Sequence, residues 1–190
     1  MKPSFLCCLL LLICPAVGVQ GAEFDREETL VLFESRRVAV AVPNGFVFAS
    51  GRDNLGVVRV QMHNAKEDVS LQLTFLPDLE ERFADGYERH RFLHESFSEF
   101  AESSVEKAMQ FEDLRPKFGA GTYCIFTDAK LVGQTKLPPG EYLHATKGVK
   151  VWPGVLVVFS IFSNETKSDD FQAALTLLRE SVAEKLVPLR

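Results

Sequence analysis

Three runs of strict two-residue alternation dominate what this chain can fold into. RVAVAVP at 37–43 puts Val38, Val40 and Val42 on one side; VVRVQM at 57–62 sets Val58, Val60 and Met62 against Arg59 and Gln61. VSLQLTF at 69–75 sets Val69, Leu71, Leu73 and Phe75 against Ser70, Gln72 and Thr74. A period of two belongs to a strand with one buried and one solvated face, and a one-residue slip would turn every apolar side chain to water. The first half of the chain is therefore expected to form antiparallel sheet. TLVLF at 29–33 adds a short strand before it, and residues 22–29, which include EFDREET, are expected to be a mobile arm.

The period then changes. From about Leu79 to Met109 apolar residues recur at helical spacing, and Leu79, Phe83, Tyr87, His90, Leu93, Phe97, Phe100, Ala101, Val105 and Ala108 fall within about 80° of Phe97 at 100° per residue. This predicts one long amphipathic helix. GTYCIFTDAKL at 121–131 and GVLVVFSIF at 154–162 are apolar on both faces, as central strands are when a sheet is covered on each side, and EYLHATKGVKV lies between them. Phe171, Leu175, Leu178, Val182 and Leu186 predict a closing helix from Ser168 to Leu186, capped by Ser168 or Asp169. The expected fold class is α+β: a single antiparallel β-sheet flanked by helices on both faces, in one domain over residues 30–190.

VAVAVPNGF, a strand ending in a proline and glycine turn with an aromatic residue next, is followed by a sheet hairpin closing on VSLQLTFLP, a long mid-chain helix, three more strands and a last helix. This order resembles the Mog1/PsbP superfamily over nearly the whole chain after residue 21, although Phe46 stands where such turns often carry tryptophan. The resemblance implies an α/β/α sandwich and a non-catalytic binding or assembly module, and it carries over no site residue.

The first 21 residues read as a secretory signal peptide: Lys2, an apolar run from Phe5 to Ile13, then small residues. The run is shorter than the roughly 18 to 20 residues of a spanning helix, and no later segment is both long enough and uncharged. Val19 and Gly21 suit a cut before Ala22; Ala16 and Gly18 offer an earlier one. Ile13, Cys7 and Leu6 precede the three signal cysteines where lipidation would need a small residue. Cleavage removes Cys7, Cys8 and Cys14, leaving Cys124 as a buried strand hydrophobe with no internal disulfide partner. It also removes Lys2, taking the formal charge from -5 to -6. A mildly acidic chain with interspersed signs argues against nucleic acid or an anionic membrane as main partner.

His90 and His94, in YERHRFLHES, stand four apart on the predicted helix, a spacing that can share a zinc ion. Arg91 occupies the place of the glutamate that metalloprotease helices carry, and His90, about 20° from Phe97, falls mid-stripe where a hydrogen-bonded core histidine also belongs. A third ligand would have to come from His63, His144 or Asp128. No G-x-S-x-G elbow or phosphate-cradling glycine pattern occurs, and Cys124 lies inside an apolar strand rather than at a turn that favours thiolate. The carboxylate pairs, such as Glu80 with Glu81, read as solvated surface.

Binding is therefore sought on loops. Phe46 and Phe48 lie in PNGFVFASGRDNLG, Trp152 follows Lys147 and Lys150 in KGVKVWPGV, and Phe92 falls on the polar side of the predicted helix. Aromatic residues beside lysines are what an interface centre uses. Asn164-Glu165-Thr166 is a sequon that would carry a glycan in a eukaryotic secretory pathway. The expectation is an exported, periplasmic or secreted, non-catalytic module that binds a protein partner and needs no cofactor; the alternative is a divalent metal held by His90 and His94.

Overall fold

The alternating segments form strands in the phase that buries their valines and leucines. The computed structural model describes residues 23–33 and 36–184; the expected signal peptide, with its three cysteines, lies outside them. The elements begin with β1 (Phe24–Val31), β2 (Arg37–Pro43), β3 (Phe46–Arg52), β4 (Val58–Asn64) and β5 (Val69–Asp78). Next come α1 (Gly86–Ser103), β6 (Glu112–Asp113), β7 (Ala120–Thr127), β8 (His144–Trp152) and β9 (Gly154–Ser163), and the chain continues through α2 (Asp169–Thr176) to β10 (Val182–Glu184).

The expected single sheet flanked by helices on both faces does not form. The strands divide into two antiparallel sheets, one of seven strands in the order β3-β4-β5-β9-β8-β7-β6 and one of three in the order β1-β2-β10. Among the described residues the protein is mostly β, with two short helices. The break falls at Asn44 and Gly45, where Gly45 adopts a φ of 75° and turns the chain so that β2 and β3, adjacent in sequence, enter different sheets. Val38, Val40 and Val42 then pack in one core with Met62, Leu71, Leu73 and Phe75. The small sheet occupies much of the face that was expected to carry a helix.

Two further departures explain that sheet. The residues expected as an arm are β1, whose register with β2 runs from Phe24 opposite Pro43 to Val31 opposite Arg37. Their charges face solvent from an edge strand, a common way of protecting such an edge. The last helix stops at Thr176, widens into a π turn over Leu177–Ser181, and becomes β10, which pairs with β2. Leu175, Leu178 and Val182 remain buried throughout. An apolar spacing that serves a helix thus also serves a turn and strand that cover the same core.

The faces of the large sheet are covered unequally. On one, the small sheet, α2 and the π turn enclose the main core, which includes Val157, Phe159 and Ile161. On the other, α1 crosses β7 and β8, burying Leu93 with Val149, Val151 and Leu156, and Ala101 with Cys124 and Phe126. No helix or strand of the described residues covers the outward side of β3, β4 and the middle of β5, where Val47, Ala49, Arg59, Gln61 and Gln72 are exposed; toward the ends of β5, Ser70 is buried and Leu76 packs into the cluster under α1.

The helix α1 is also shorter than its apolar stripe. Leu79 and Val105 lie outside it and are exposed, and Tyr87, inside it, is 70% exposed. Asp78 accepts from Arg82 N and Phe83 N to hold a 3₁₀ turn, and Asp85 caps the helix by accepting from Tyr87 N at 2.7 Å. Arg89 then fixes the rotation of the helix, with Nε 3.2 Å from Thr122 Oγ1 on β7 and Nη1 donating to the Phe83 and Ala84 carbonyls. A helix lying over the flank of a sheet buries a narrower stripe than one centred on it. His90 is thereby left outside the buried stripe.

Candidate functional site

A concavity lies where α1 ends beside the uncovered half-sheet. It is a groove of about 680 Å³. Its floor is Gln61, Ser70 and Gln72; Phe100 and Ser103 form the helix wall, and Tyr142 and Glu141 form the opposite wall from the segment leading into β8. The helix wall is held by backbone bonds from Val105 N to Thr127 O at 2.8 Å and from Ala129 N to Ser103 O at 3.4 Å. Beside it, Glu106 accepts from the Thr127 amide and hydroxyl at 2.9 and 2.7 Å. Burial works against the charge of Glu106, but these hydrogen bonds outweigh it and hold the carboxyl below its usual range.

His144 Nδ1 lies 3.1 Å from the same Thr127 hydroxyl. Because that hydroxyl donates to Glu106, His144 must donate rather than accept, which is the wrong polarity for activating a nucleophile. Burial pushes the imidazole pKa down, opposed by the Glu106 charge. The group ties a loop to the sheet.

Behind two of the groove's aromatic walls, and not itself part of the lining, stands Lys147 on β8. It is 6% exposed, and its Nζ lies 4.5 and 4.4 Å from the ring centres of Phe100 and Phe162, both of which line the groove, with Phe97 at 5.6 Å. Among the described residues its ammonium donates one hydrogen bond, to Ser160 Oγ at 3.0 Å, and no carboxylate pairs with it. Burial alone pushes its pKa down to about 8. The rings stabilise the ammonium by cation–π attraction without neutralising it.

Lys150 differs, although it is three residues away. It points to the opposite face of the sheet, because side chains alternate along a strand. Its ammonium donates to the carbonyls of Leu178 at 2.8 Å and Val182 at 2.6 Å, closing the π turn where the helix stops. Burial pushes its pKa to about 8 as well. Trp152 lies on that face, 8% exposed, with Lys150 Nζ 5.8 Å from its ring. Lys150 is a helix-end cation, and Trp152 belongs to the core.

The residues picked from the sequence thus form no common exposed patch. Phe46 is 4% exposed and Phe48 packs half-buried against the main core. Phe92, half-buried, meets Phe83 edge-on at 5.3 Å. None of the six lines the groove; Lys147 lies behind two of its walls, Phe100 and Phe162. The walls that were missed sit far apart in sequence: the β8 and β9 pairing brings Phe162 beside Tyr142, and α1 supplies Phe100.

The histidine pair is exposed, not central to a stripe. The His90 ring stacks on Phe111 at 4.2 Å and 6°, and His94 faces solvent. Of the candidate third ligands, His144 faces Thr127, Asp128 accepts from Lys130 N, and His63 Nδ1 lies 3.5 Å from Asn64 O. Among the described residues no group of three or more His, Cys, Asp or Glu is placed to hold a metal ion. Asn164, of the sequon, accepts through Oδ1 from Leu143 N at 3.3 Å. No described helix is long and apolar enough to cross a membrane. The chain matches no known family model and no curated protein.

The two buried lysines set an alkaline stability profile. Their folded pKa values lie below the ordinary 10.5, so between about pH 8 and 10.5 the unfolded chain binds more protons and stability rises with pH. Cys124, raised from 9.0 to about 12 by burial and then by the Glu112 charge, acts oppositely above pH 9. Tyr123, raised from 10.0 to about 12 by burial and its Glu112 bond, does so above pH 10. Urea unfolding midpoints should therefore rise from pH 8 to 9, rise more slowly to about 10, and fall above about 10.5. A monotonic fall from pH 8 would contradict the burial of both lysines.

Proposed function

We propose that this protein is an exported, non-catalytic binding module that seats a protein partner in the groove beside Phe100 and Tyr142. Export rests on the signal-like first 21 residues. The Mog1/PsbP resemblance implies the same kind of role. The observation that carries the reading is the uncovered half-sheet: exposed glutamines form the floor and aromatic rings the walls, as in recognition surfaces that combine polar groups for orientation with apolar bodies for affinity. Neither the histidine pair nor the Thr127 cluster supplies a nucleophile geometry to set against it.

The test is a photo-crosslinking amino acid placed at Gln72 in the source cells, with the same residue at Leu55 as control. Leu55 is 89% exposed and sits in the loop between β3 and β4. A discrete adduct of one mass from Gln72 alone supports the groove. Adducts from Leu55 and not Gln72, or none from Gln72, would refute it.

A further inference from the structure

We propose that Lys147 anchors an acidic side chain of an extended segment of the partner, an inference that rests on the groove being the binding surface. A buried ammonium with three donors and one hydroxyl partner is incompletely satisfied. Lys150 marks the contrast, since the same burial there comes with two backbone carbonyls. Lys147 also sits between two rings that are themselves groove walls, and Phe100 is 38% exposed, so displacement of one ring opens the charge to the groove. A carboxylate placed there would form a charge-assisted hydrogen bond in a site of low polarity.

The occupant is extended because the groove does not end at its own walls. Through Gln61 and Gln72 it continues into a shallower trough of about 380 Å³ along the outer strands, bordered by Ala49, Arg59 and Thr74. A chain lying across the sheet places a side chain, not its end, over Lys147. Asp128, Lys130 and Glu141 are the charged residues of the lining itself, in front of the rings that cover Lys147; Asp128 accepts from Lys130 N.

Three probe peptides test this against the full protein: a blocked tripeptide with glutamate between two phenylalanines, its glutamine counterpart, and a blocked diphenylalanine with a free C-terminal carboxylate. Binding is read by fluorescence polarisation and by the Lys147 Cε signal in carbon-13 spectra. The glutamate peptide should bind about tenfold more tightly than the glutamine peptide and shift that signal. Lys147→Met should erase the preference while keeping the affinity for the glutamine peptide, and Lys147→Arg should retain part of it, which guards against a folding artefact.

Equal affinities, or a preference that survives in Lys147→Met, would overturn the assignment. Tighter binding of the free chain end would overturn it in favour of a terminal carboxylate. If crosslinks form at Gln72 but no acidic preference appears, only this inference falls. If neither crosslinks nor binding appear, the groove reading falls with it.

Discussion

Gly119→Ala is expected to lower stability by at least about 3 kcal/mol, enough to unfold much of a marginally stable domain. Gly119 precedes β7 at a φ of 79°, and a methyl group there would overlap the Val151 carbonyl oxygen and stand 2.9 Å from its carbon. The obstacle is backbone, not a side chain that can rotate away. Relief would require β7 to move off β8 at the pairing of Ala120 with Val151, disturbing the ladder that also carries Lys147 and Lys150. Gly140→Ala separates the two causes. Gly140 has the same φ of 79° but nothing within 4 Å of the added methyl, so it should show only the left-handed strain, about 1 kcal/mol. Urea unfolding followed by circular dichroism compares them; equal losses would mean that the close approach of Gly119 to Val151 is not present in solution.

The second large effect is expected at Lys150. Lys150→Met should destabilise the protein by roughly 2 to 4 kcal/mol, because it leaves the Leu178 and Val182 carbonyls without the donor they share. Lys147→Met should be neutral or slightly stabilising, since it removes a buried charge that has one hydroxyl partner and leaves no carboxylate unpaired. Both lysines are pushed to about 8 by burial, yet the substitutions should differ in sign. Thermal melts at pH 7 decide it. A large loss in Lys147→Met would make that lysine a structural tie between α1 and the sheet and would remove the stability argument for a retained anchoring role.

Much of the strand content was legible because one face is sealed. The large apolar residues of β2, β4 and VSLQLTF in β5 alternate strictly, and a strand facing a core has no alternative phase. What misled was the edges. EFDREET is charged on both sides because β1 is an outer strand, and FVFASGR looks like a loop because β3 is exposed over most of its length. The division into two sheets depends on one turn at Gly45, and no periodicity records which sheet a strand joins. The last helix failed for a related reason: apolar spacing reports which residues are buried, not that the backbone between them is helical.

The site was less legible still. Lys147, Lys150 and Trp152 were grouped by closeness in sequence, although an odd separation on a strand sends Lys147 to one face and the other two to the opposite face. That much could have been read from EYLHATKGVKVW once it was taken as a strand. The rings around Lys147 could not, since Phe97 and Phe100 come from α1 and Phe162 from β9. His90 was placed mid-stripe because the stripe was assumed to be centred over the sheet.

The lopsided cover of the large sheet separates two kinds of inherited change. Along β4 and β5 the inward residues are committed to holding the fold, whereas Arg59, Gln61, Gln72 and Thr74 share the same strands and carry no core. Substitutions can accumulate at those outward positions, and at Ala49 beside them, without eroding the fold. The half-sheet can in this sense serve as a display scaffold: its outward residues can be varied, or randomised in a library, while the folding information stays on the other side of the same residues' backbone.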